Sequence, residues 1–83
     1  MNVKTEANLF ATSDLSLAAA ISLFSDLSSI DRTDQQKAIF FFKRDEDLPL
    51  LIHLFWTNSL KVDALSYFNQ VKALKSRIYG NDA

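Results

Sequence analysis

Apolar and polar positions change their spacing several times along the chain, and each change marks an element. Residues 8–11 read as a short strand, with Leu9 and Ala11 on one face and Phe10 on the other. Thr12-Ser13-Asp14 is a helix start: a hydroxyl to accept a free amide hydrogen, then an acid against the positive end of the dipole. The helix runs to about residue 25, with Leu17, Ile21 and Phe24 at i, i+4 and i+7. Ala18, Ala19 and Ala20 let it come close to whatever it packs on. Residues 27–32 form a weak strand around Ile30, and residues 37–43 a strong one around Ile39-Phe40-Phe41-Phe42. The polar run Thr33-Asp34-Gln35-Gln36 joins them as a hairpin. In the strong strand the period of two points Ala38, Phe40 and Phe42 one way, and Lys37, Ile39, Phe41 and Lys43 the other.

Asp45-Glu46-Asp47 places three acids at the start of a second helix, and Pro49 falls in its first turn, where a missing N–H removes no helix bond. That helix, residues 48–56 (LPLLIHLFW), is apolar on nearly every side, with His53 its only polar side chain. Such a helix needs cover on most sides, so the rest of the chain or a second copy is expected to wrap it. Thr57-Asn58-Ser59 closes it. Asp63 caps a third helix, with Val62 and Tyr67 in the positions of a hydrophobic staple. Its expected buried stripe is Ala64, Phe68, Val71, Leu74 and Ile78; Lys72, Lys75 and Arg77 suit the negative dipole end, and Gly80 terminates it.

The order is β-α-β-β-α-α with no internal repeat, a small α+β domain. A right-handed crossover through the first helix leaves room for the third strand between the first two, antiparallel to both, giving strand order 1-3-2. The first and second helices then cover one face, the third packs on the second, and the other sheet face stays open. Eighty-three residues make one domain, 1–83, with residues 1–7 expected to fray and 80–83 to form a tail.

Composition narrows the function classes. A chain this short buries only about 60–65% of its unfolded surface. Apolar residues make up 48%, with seven Phe, two Tyr and one Trp, so the expected core is rich. One glycine leaves no room for a Gly-rich phosphate loop, and the lack of cysteine removes disulfides and thiolate metal sites. A net charge of -1 argues against strong non-specific nucleic-acid binding. Residues 15–24 have the length of a signal-peptide core, but acids outnumber lysine before them and no small-residue cleavage site follows; a soluble, cytoplasmic protein is expected, with no membrane partner.

Chemistry is sparse. His53 has Ile52 and Leu54 as neighbours and reads as a partly exposed helix residue rather than a general base. Asp45-Glu46-Asp47 reads as capping and solvated surface rather than a cation site. No catalytic residue, cofactor, metal or small-molecule substrate is therefore expected. Two surfaces stand above this floor. Ile39 and Phe41 on the open sheet face, with Phe10 alongside and Trp56 on the second helix, form the candidate protein interface. The same face, with Arg32, Lys37 and Lys43, is also patterned like a base-stacking platform. Trp56 and Tyr67 with Lys72 and Lys75 make a second aromatic-basic candidate, against the alternative that the aromatics are core between the last two helices. The leading expectation is a non-enzymatic module that binds itself or another protein; the alternative is a nucleic-acid-binding regulator.

The order of motifs also resembles a family of small domains of unknown function from bacterial and phage sequences. The resemblance rests on Thr12-Ser13-Asp14-Leu15 before Ala18 to Ala20, on Ile39 to Phe42, on Phe55-Trp56, and on Val62-Asp63, Tyr67-Phe68 and Leu74 to Tyr79. It spans residues 10–79. The family often carries a glycine after the first helix, where this chain has Ser25-Asp26. The resemblance implies a compact single domain and no particular chemistry.

Overall fold

The structure, a computed structural model, describes residues 8–34 and 36–79. The expected fraying of residues 1–7, the tail at 80–83 and the terminator Gly80 lie outside the described residues. The elements are β1 (Leu9–Thr12), α1 (Leu15–Ser22), β2 (Leu27–Asp31), β3 (Ile39–Lys43), α2 (Leu48–Trp56) and α3 (Ala64–Tyr79). The sheet runs β1-β3-β2, antiparallel at both pairings, as the crossover argument expects. β3 takes the centre because it has the longest aromatic run. Phe40 and Phe42 are closed from solvent by the helices on one face and by a strand on each side.

Register decides which side chains meet the helices, since residues directly opposite share a face. Phe10 lies opposite Phe42, and Ile30 opposite Phe40. β2 carries a bulge: Leu27 pairs with Phe42 and Ser29 with Phe41, leaving Ser28 as the extra residue. Strict alternation would send Leu27 and Ile30 to opposite faces. The bulge turns both toward the core, where they pack as partly buried residues.

The centre of the domain is α1, not the greasier α2. Leu17, Ala18, Ala19, Ala20 and Ile21 are all buried. Asp14 caps the helix with its own carboxylate, which accepts the Leu17 N–H at 3.2 Å, while the Thr12 hydroxyl accepts the Asp14 N–H at 3.0 Å. The acid is thus the cap and the hydroxyl braces it. Methyl side chains let α1 lie close to the sheet, with α2 and α3 flanking it. Two layers result, consistent with a shortest dimension of 19 Å.

Four expectations change here. The chain by itself does not wrap α2, which leaves a second copy as the expected cover: Leu48 is its only buried residue, while Leu50 and Trp56 are each 59% exposed. α3 packs on α1 rather than on α2: Tyr67 Oη donates to Ser16 O at 3.1 Å and Gln70 Nε2 to Ser22 Oγ at 2.8 Å. The buried stripe of α3 is therefore Tyr67, Val71, Leu74 and Ile78, and Phe68 and Ala64 point outward. α1 also ends at Ser22, which leaves Phe24 in the turn beyond it and exposed.

α2 ends as its residues suggest. Asn58 has φ 61, the left-handed region that Asn tolerates. Its N–H donates to Phe55 O at 3.2 Å and the Ser59 N–H to Leu54 O at 2.8 Å, a Schellman closure.

Candidate interaction surfaces

The open sheet face follows from the same register. Leu9 sits opposite Lys43, Ala11 and Ser29 opposite Phe41, and Asp31 opposite Ile39. Ile39 and Phe41 are on this face as expected, but they are half-buried, shielded by one another's neighbours across the strands. Phe10 is not with them. Its pairing with Phe42 turns it to the helix side, where it packs on the core and the Arg44 guanidinium lies 5.8 Å from its ring centroid. Trp56 is far more exposed, with its ring edge-on to Phe55 at 4.9 Å. Of the second aromatic pair, Tyr67 is in the α1–α3 packing and Trp56 is outside, so the two do not form one surface.

The helical layer exposes more apolar surface than the sheet. At the end of α1 and along α2, Phe24, Leu50, Leu51, Leu54 and Leu60 line a groove of about 350 Å³ with Asp45 and Asp47 at its margin. Asp45 is engaged locally: its carboxylate accepts the N–H groups of Asp47 (3.0 Å) and Leu48 (2.9 Å) and the Ser25 hydroxyl (3.4 Å). It holds the start of α2. Glu46 and Asp47 are exposed, and the Asp47 side chain makes no capping bond. On α3, Leu65, Phe68 and Tyr79 are exposed, with Lys72 Nζ 5.2 Å from the Phe68 ring centroid. Leu65, Phe68 and Lys72 recur at i, i+3 and i+7, a second stripe about 90–150° around from the buried one. A second copy on α2 and a contact at Lys72 are both among the expectations; the reach of the groove to Phe24 and Leu60 and the outer stripe of Leu65 and Phe68 are not. Leu65 was the available signal, an apolar residue that the expected stripe left unplaced.

The basic candidates fall in three places. Arg32 donates to Arg77 O at the end of α3, and with Lys37 it borders a cleft of about 380 Å³ that also holds Ser13 and Tyr79. Lys43 is on the sheet and borders a cleft with Asp26 and Asp45, so acids share its surroundings. Lys72 and Lys75 are on α3, which has no acidic residue along its length.

His53 is exposed on α2 and borders none of these clefts. Among the described residues no group of three or more His, Asp or Glu side chains is placed to hold a metal ion. Among the described residues no helix is long and apolar enough to cross a membrane.

Two carboxylates are held below their ordinary range by local hydrogen bonds. Asp31 accepts from the Thr33 hydroxyl and backbone N–H. Asp63, the cap of α3, accepts from the Ser66 N–H (2.9 Å) and hydroxyl (2.8 Å). A folded-state value below the unfolded one stabilises the fold above the ordinary carboxylate range, and the effect is lost as pH falls through the lowered value. Thermal melts should therefore show Tm dropping in acid, and Asp63→Asn, which keeps an acceptor but cannot titrate, should flatten part of that drop. A Tm profile unchanged by the substitution would contradict the role of Asp63.

Fold and surfaces together define a small α+β domain with its helices on one face of a three-stranded sheet and apolar side chains left outside on those helices. The chain belongs to a family described as a domain of unknown function, DUF5659, whose model matches residues 7–80. No curated protein and no solved structure matches it.

Proposed function

We propose that this chain is a non-enzymatic interaction module that associates with itself. The observation that supports the reading is the apolar surface on the helical layer: Phe24, Leu50, Trp56, Val62, Leu65, Phe68 and Tyr79 are all exposed. Single exposed apolar residues are ordinary, whereas grouped ones mark contact surfaces. Five of these fall in two groups, Phe24 and Leu50 in the groove beside α2 and Leu65, Phe68 and Tyr79 along α3, while Trp56 and Val62 stand apart. A near-neutral net charge lets copies approach without strong mutual repulsion.

Multi-angle light scattering at micromolar concentrations tests this directly. The expected mass is a dimer or larger; a monomer across the whole micromolar range would dismiss the reading. The acid-free α3 favours a second reading, contact with nucleic acid through Lys72 and Lys75. That reading requires binding to single- or double-stranded probes that weakens steeply with added salt. No binding at low salt removes it.

A further inference from the structure

We infer that the contact between copies is a helix in a groove: the outer stripe of α3 from one copy lies in the groove beside α2 of the other. This rests on the self-association proposed above and gives it an address. The groove has an apolar floor of Phe24, Leu50, Leu51, Leu54 and Leu60 and acids at its edge, Asp45 and Asp47, with Glu46 between them in sequence. The adjoining cleft, which shares Phe24, Ser25 and Asp45, carries both Asp26 and Lys43. The groove itself, with two acids and no basic residue in its lining, suits an occupant that is apolar along one line and positive beside it.

The outer face of α3 meets both requirements. Leu65 and Phe68 are exposed at helical spacing, Lys72 follows them in the same stripe, and Lys75 adds positive charge beside Phe68 on a helix of 16 residues without an acid. Anchors at i, i+3 and i+7 are the pattern by which an amphipathic helix is read by a groove. Three of the ten acids, Asp45, Glu46 and Asp47, stand in succession at the start of α2, and α3 carries three of the nine basic residues and no acid. Set against each other in two copies, the acids of one meet the lysines of the other. Steric and apolar fit supply the affinity, and the opposed charges set the register and exclude the reverse orientation. Each copy carries both a groove and a stripe, so reciprocal docking closes a dimer, while one-way docking extends a chain.

The test is a charge swap measured by sedimentation of the full chain. Asp47→Lys and Lys72→Glu alter exposed side chains, and Asp45 still holds the start of α2 in the first of them. Each variant alone places like charges at the contact and should weaken association by about ten-fold. An equimolar mixture pairs lysine at position 47 with glutamate at position 72, and Asp47 with Lys72, so association should return to the wild-type level. This holds for reciprocal and one-way docking alike. Phe68→Asp, on the apolar line, should not be rescued by either partner. Association unchanged in the single variants overturns the assignment and leaves the groove to a different protein, while self-association stands. A mixture as weak as its components also overturns it. A wild-type chain that stays monomeric removes this inference together with the reading beneath it.

Discussion

Phe42→Ala is expected to destabilise the domain by about 3–5 kcal/mol. Phe42 is fully buried in the central strand, opposite Phe10 on one side and Leu27 on the other, beneath α1. Truncation removes a ring from a closed core of Leu17, Ala18, Ala19, Ile21 and Phe40, whose backbones are held in α1 and β3 and can relax only in part to fill the space. A domain of this size has a total stability of about 4–12 kcal/mol. The variant should therefore be mostly unfolded, or unfold at low urea, by far-UV circular dichroism. A change below about 1 kcal/mol, the scale of surface substitutions, would show that the sheet and α1 do not meet as described. The comparison with Phe41→Ala sharpens the test, because Phe41 is the next residue along and faces the open side. Its loss should cost much less, although both are phenylalanines in one strand.

The second large effect is expected on α3. Leu74 is the one residue of that helix that is fully buried, and Leu74→Ala should cost about 2–5 kcal/mol. Phe68→Ala removes a larger side chain but one that is 57% exposed, and it should stay within about 0.5 kcal/mol of wild type. Urea titrations of the two variants separate two placements of α3. If Phe68 were part of the buried stripe, as its spacing from Ala64 and Val71 suggests, its substitution would be as costly as that of Leu74. The Phe68 variant has a further use, because a nearly unperturbed fold with weakened self-association is the signature of a side chain that serves a contact and not a core.

Much of the architecture was legible in the residues. The hydroxyl-acid start before α1, the acids before α2 and Asp63 before α3 mark chain punctuation that acts locally, through side chains bonding to amides a few positions away, and the turn at Asn58 does so through backbone N–H groups. The alternation in β3 separated Phe40 and Phe42 from Ile39 and Phe41, and the structure keeps that division. Strand order was accessible as well, because a right-handed crossover through α1 and a tight connection from β2 to β3 leave few arrangements. The interaction surfaces were less legible. The expected place of Phe10 beside Ile39 and Phe41 fails, since its side depends on pairing with Phe42 across the sheet and not on its own neighbours. The groove beside α2 draws on Phe24, the residues of α2 and Leu60, segments whose approach no local pattern records.

What the sequence by itself determined, then, is where elements begin and end, which residues within an element share a face, and the order of the strands. Those depend on interactions among near neighbours and on the handedness of the chain. Only the tertiary structure decided which helix lies innermost and which helix faces stay uncovered. Average hydrophobicity pointed to α2, yet α1 occupies the centre, because its small side chains allow close contact with the sheet on one side and α3 on another. Burial depends on fit among surfaces distant in sequence, so an apolar stretch such as Leu48–Trp56 can be left half outside. There its side chains are available to a second copy.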